Sequence, residues 1–354
     1  MHTILKINRL LHLLLLSLVI WPVTARAVEQ EKGVILKITN SGSGGGHAVP
    51  QPLGDNPRRI VDELNAHGVT EVRVQVNNGE PMSEIIETGA NATDTLAKFG
   101  FKGKVILDNK KWHLAKEGSQ RAWVKAMYKT YDKMDAAGKA IVGGFSFGET
   151  TPTQESWKEY SKGVASAVQL LEHAFKDGGD PHGLKGKRFY VGGASYGGSF
   201  RELEHRDHET IKKSIEGVGG TLIYAYKSFH SMQGLPQPEK GDMSSKANAK
   251  AFLLNVVGLE NLAKVAGQTE VQYRGNANDS IATDPEFRAA LIEIFNEHPN
   301  FLHVGAEVIL NNHGAGHAGG HLFDVAGNPQ AGAWKALNSF AHAIRKTKRN
   351  DAGQ

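Results

Sequence analysis

The chain contains no cysteine. That absence excludes disulfides, thiolate-bound zinc and cysteine nucleophiles together. It also lacks any basic run long enough to argue for nucleic acid as a partner. Only one long apolar run occurs, Leu10–Ile20, and it is too short to span a bilayer. What remains is an ordinary globular composition, 40% hydrophobic and 22% charged over 354 residues, enough for one large α/β domain. Without disulfides, stability has to come from a sizeable core, which a domain of about 325 residues can supply.

The N-terminus has the form of a secretory signal peptide. Lys6 and Arg9 precede the apolar run, and Ala25-Arg26-Ala27 supplies small residues for cleavage after Ala27. Removing residues 1–27 takes away Lys6, Arg9 and Arg26 and no acid, leaving 38 cations against 37 acids. The expectation is a secreted or periplasmic protein with no stable membrane insertion after cleavage. One folded domain over 28–346 and a polar tail over 347–354 complete it.

Short apolar segments alternate with helical patterns along the rest of the chain. The strand candidates are Gly33–Thr39, Glu71–Val76, Lys104–Asn109, Ala140–Phe147, Arg188–Ala194, Thr221–Tyr226, a stretch within Leu262–Tyr273, and Phe301–Leu310. Between them lie helices predicted at Arg58–His67, Thr93–Phe101, Ser119–Met134, Glu155–Phe175, Arg201–Ile215, Ala249–Leu262 and Pro285–His298, with a last one at Ala331–Arg345. Eight strand–helix units of this length predict a single-domain (β/α)₈ barrel of the TIM type. An open doubly wound sheet shares the rhythm but uses fewer units.

The stretch Lys139–Thr153 (KAIVGGFSFGETTPT) ends its apolar run in Gly148-Glu149, just before a polar loop and a long helix. An acid at the C-terminal end of a barrel strand stands where such barrels keep their chemistry. Four segments, Leu64–Val76, Gly144–Glu149, Arg188–Ser195 and His321–Phe340, resemble in order the clan-A glycoside hydrolases, retaining (β/α)₈ enzymes. Gly144–Glu149 is similar to the fourth-strand motif Gly-Asn-Glu, although Gly148 stands in place of its Asn. The resemblance implies a polysaccharide or oligosaccharide hydrolase with Glu149 as acid/base and Glu270, of Thr269-Glu270, as nucleophile. Glu270 serves only if strand seven precedes it.

Retaining hydrolysis needs one carboxylic acid to protonate the leaving oxygen and one carboxylate to attack, about 5–5.5 Å apart. Arg73, at the mouth side of strand two, would hold the nucleophile ionised. Asn109, Trp112, Tyr226, His230, Asn311 and Asn312 follow strand ends and are candidates for reading sugar hydroxyls and faces. Trp123, Trp157 and Trp334 lie within helical patterns and read as core. No cofactor is expected. His313, His317 and His321 are spaced four apart, but glycines between them argue for a loop and not a metal site.

Two alternatives stay open at this point. One is a glycan-binding barrel that has lost catalysis. The other is a serine esterase of the α/β-hydrolase type, since Gly193-Ala-Ser195-Tyr-Gly197 matches a nucleophile elbow and Asp279 and His317 follow in the order such enzymes use.

Overall fold

Eight parallel strands form a closed barrel in sequence order: β1 (Val34–Thr39), β2 (Val69–Val76), β3 (Lys104–Asn109), β4 (Val142–Ser146), β5 (Arg188–Ala194), β6 (Thr221–Lys227), β7 (Glu270–Asn276) and β8 (Phe301–Ile309). Strand β8 closes on β1, with Lys37 level with Glu307. The computed structural model describes residues 34–39, 53, 56–76, 82–109, 114–147, 156–180, 182–194, 200–227, 245–276, 285–298 and 300–309. Near the C-terminus it also describes 323, 328–332, 334–335 and 338–339. The expected signal peptide lies outside them, and no helix among the described residues is long and apolar enough to cross a membrane.

Closure in order 1 to 8 overturns the α/β-hydrolase alternative, which requires an open sheet. Its Ser195, Asp279 and His317 lie outside the described residues.

The helices are α1 (Pro57–Ala66), α2 (Met82–Lys98), α3 (Glu117–Lys133), α4 (Ala136–Ile141), α5 (Trp157–Asp177), α6 (His205–Gly217), α7 (Lys246–Ala251), α8 (Leu259–Ala266) and α9 (Pro285–Glu297). Local chemistry sets their ends. Asn56 caps α1 by accepting from Arg59 N, with Pro57 at the first position. Ser156 and Glu159 form a reciprocal capping box at α5.

Three boundaries differ from the sequence reading. Helix α2 begins at Met82 and not at Thr93, because Ala90, Thr93 and Leu96 share a buried face while Thr88 and Gly89 weaken the local signal. The start of the expected fourth strand is helical: Asp135 accepts from Gly138 N at 2.7 Å and caps α4, so β4 begins at Val142. The helix expected over Ala249–Leu262 is broken into α7, a π-helical turn at Phe252–Val256, and α8.

The last break is made by Gly258, at φ +80°. A Cβ there would lie 2.5 Å from Arg201 N. The neighbouring Asn261 Nδ2 donates to the carbonyls of Phe200, Arg201 and Leu203 and fixes that turn against α8. Gly258→Ala therefore meets both left-handed backbone strain and a steric clash. A loss of about 2 kcal/mol or more in urea unfolding is expected.

The main core lies between strands and helices and includes Trp123, Trp157 and Trp334, each buried as the sequence reading required. Trp123 Nε1 donates to Ser146 O at 3.1 Å and ties α3 to the end of β4. Trp334 stacks on His67 of the turn after α1, with ring centroids 4.0 Å apart. His208 of α6 is buried, with Nδ1 3.1 Å from the Tyr224 hydroxyl of β6.

Burial lowers the His208 pKa from 6.5 to about 4. The folded state thus takes up this proton later than the unfolded one. The contribution is intact above pH 6.5, falls as the pH drops from 6.5 towards 4, and levels off below. The wild-type urea midpoint is expected to fall more steeply across that window than that of His208→Gln.

Candidate active site

Among the described residues, the barrel interior holds a small apolar cluster, Ile106, Tyr190, Ile223 and Ala225. Around it the sequence places charge. In β2, Val72 and Val74 face the main core, so Glu71 and Arg73 fall on the inner face by alternation. Both are buried, Arg73 fully. A barrel lined by branched apolar side chains is the usual solution. Here Arg188 pairs with two inner acids, Glu71 and Glu270, while Arg73 lies against Gln272 and Tyr190.

At the N-terminal end, the floor, Arg188 opens β5 and reaches two acids. Its Nε is 2.9 Å from Glu71 Oε1, and its Nη2 is 2.8 Å from Glu270 Oε2. The Tyr190 hydroxyl donates to Glu71 Oε2. Burial pushes the Tyr190 pKa well up and the Glu71 charge pushes it further, so the phenol stays protonated and keeps that hydrogen bond. Burial opposes the Arg188 charge, but Tyr190, Glu71 and Glu270 outweigh it and hold the guanidinium protonated above its ordinary range. Above this floor, Arg73 lies over the Tyr190 ring, 3.9 Å from its centroid, and its Nη2 donates to Gln272 Oε1 at 2.5 Å.

This arrangement corrects two sequence expectations. Glu270 is the first residue of β7, and Val271 to Asn276 form the strand body. Its carboxylate therefore lies at the floor, bound to Arg188, away from the C-terminal mouth where barrel chemistry is done. The physical reason is the β-propensity of Val271 and Tyr273, which pulls the strand to begin at Glu270 instead of ending there. Arg73 is likewise not at the mouth. It is level with Ile106 and Lys37 and stacks in the middle of the barrel.

Other expected residues fall where the mouth is. Asn109 ends β3, and Tyr226 is next to last in β6, level with Gly193 and Tyr273. Glu149, Trp112, His230, Asn311 and Asn312 lie outside the described residues, as do His313, His317 and His321. Strand β4 ends at Ser146, three residues before Glu149.

Sequence reading missed Glu71, Asp108, Arg188 and Gln272. The alternation of EVRVQV carried the signal for Glu71, and the charge opening RFYVGGA carried that for Arg188. Among the described residues no cluster of three or more His, Asp or Glu could hold a metal ion.

The molecule is thus an α/β barrel of the TIM type whose described interior is polar and ion-paired. No protein-family model matches the sequence, and no curated protein matches it. Solved structures do share the fold. An endocellulase from Pyrococcus horikoshii is 12% identical, with a TM-score of 0.53, over 88% of this chain and 92% of its own. A broad-specificity endoglucanase from Bacteroides salanitronis is 11% identical, with a TM-score of 0.55, over 88% and 93%. A β-galactosidase from Marinomonas ef1 is 9% identical, with a TM-score of 0.55, over 90% of this chain and 60% of that one. At these identities the likeness is one of fold.

Proposed function

We propose that this protein is a glycoside hydrolase acting on a polysaccharide or oligosaccharide, with Glu149 as the general acid. Supporting this is a closed eight-stranded barrel whose β4 stops at Ser146, three residues ahead of Glu149 in the sequence. Among solved structures, this fold is shared with an endocellulase, an endoglucanase and a β-galactosidase. The N-terminal segment 1–27 would direct the chain to the periplasm or the exterior.

The test is a screen of soluble polysaccharides for release of reducing ends by the folded protein, with calorimetric binding of the matching oligosaccharides in parallel. Hydrolysis of at least one glycan is the expected result. Glycan binding with no hydrolysis of any member would instead favour a carbohydrate-binding barrel without turnover. That second reading draws on the position of Glu270, which removes the expected nucleophile from the mouth.

A further inference from the structure

A groove of about 710 Å³ lies on the outer flank of the barrel, between the first turns of α5 and α6 and one side of α8. Helices α5 and α6 begin after β4 and β5 finish, so the groove sits at the mouth end of the helical layer, outside the ring of strands. Hydrogen bonds hold its walls. Phe200 N donates to Val257 O at 3.1 Å, and Asn261 Nδ2 ties the turn at Phe200 and Leu203 to α8. Trp157, Leu203 and Val265 supply the apolar part of the lining. A volume of this order is ordinary for an organic ligand and larger than a single inorganic anion fills.

Charge is spread unequally over this groove. Lys158 of α5, Arg201 of the turn and Lys264 of α8 are all exposed, and among the described residues none of them makes an ion pair. Three acids also line it. Glu204 is paired with Arg206, Oε2 to Nε at 2.7 Å. Asp207 is buried and accepts from the Glu204 backbone N–H, with Arg206 and Lys158 near enough to favour its charge. Glu202 is left as the acid without an ion pair among the described residues, against three such cations. Glu204 does not cap α6, so the open N–H groups of that first turn add partial positive charge at the same place.

We propose that this groove is a carbohydrate site on the outer flank of the barrel, separate from its mouth, that binds an anionic glycan of the uronic acid class. Sugar carboxylates pair with Lys158, Arg201 and Lys264, ring carbons meet the apolar lining, and ring hydroxyls donate to Glu202. Charge density selects this class of ligand. Duplex nucleic acid carries a negative charge every ~1.7 Å of its axis, and several of these would fall against Glu202 and Glu204. A uronan carries one carboxylate per sugar, so its charges can meet three separated cations while neutral hydroxyls pass the acids. Binding of this kind stands independently of hydrolysis at the mouth.

The test is calorimetric titration of the full chain at low salt with tetragalacturonate, with neutral cellotetraose and with a short oligothymidylate. Tetragalacturonate is expected to bind at least tenfold more tightly than either of the others, and to weaken as salt is added. The triple variant Lys158→Gln, Arg201→Gln, Lys264→Gln is expected to lose at least tenfold in that affinity. A charge-matched control, Lys116→Gln, Lys125→Gln, Lys162→Gln, removes three exposed cations outside the groove and should stay within twofold of wild type. All six positions are exposed, and an unchanged urea midpoint confirms that each triple variant is folded. Equal losses in the two variants would overturn the proposal by reducing the effect to net charge. So would absence of tetragalacturonate binding, equal binding of cellotetraose, or tighter binding of the oligothymidylate. Groove-dependent binding of tetragalacturonate by a protein that hydrolyses no glycan would uphold this site and overturn the hydrolase reading alone.

Discussion

Glu149→Gln is expected to lower kcat for glycan hydrolysis by about 10²- to 10⁴-fold, the usual worth of a positioned general acid. KM should change little, because an amide of the same size can still hydrogen-bond to a sugar but cannot supply a proton. The loss should be smallest for substrates with good leaving groups, such as dinitrophenyl glycosides, which need no protonation on departure. Glu270→Gln provides the contrast. Its carboxylate is held by Arg188 at the floor of the barrel, so kcat per folded molecule should stay within a few-fold of wild type. Equal loss of kcat in both variants would contradict the placement of the chemistry at the mouth.

Arg188→Met is expected to be the most destabilising single change in the barrel interior, at about 3–5 kcal/mol by urea unfolding. The argument rests on what is left behind. Glu71 has only 6% of its side chain exposed and Glu270 only 17%, so removing the guanidinium strands two carboxylates in a poorly solvated place. The triple change Arg188→Met with Glu71→Gln and Glu270→Gln should recover much of the loss, because the buried charge goes as well. A triple variant no more stable than Arg188→Met would show that packing, and not stranded charge, carries the effect.

Much of the fold was legible from alternation and spacing. Strands β3 and β5 run over the residues the apolar patterns marked, and the eightfold rhythm was enough to indicate a closed barrel. Errors arose where tertiary context overrides local preference. Gly89 lies inside α2, Asp135 converts an apolar run into the helical turn α4, and Gly258 breaks a continuous apolar pattern. The site was harder to read, because a single residue of register decides which end of the barrel an acid occupies. Thr269-Glu270 matched a dipeptide motif, yet the strand starts there. Arg188 was invisible for another reason. Its partners Glu71 and Glu270 are 117 and 82 positions away, and only strand order brings them together.

The bonding of Arg188 to Glu71 and Glu270 ties β2, β5 and β7 together, three strands spread around the ring. That clasp makes the scaffold's integrity independent of what decorates its opposite rim. Loop grafting after β3, β6 or β8 can therefore alter which ligands are admitted at little cost in folding, whereas a neutral substitution at position 188 would spoil every such graft alike.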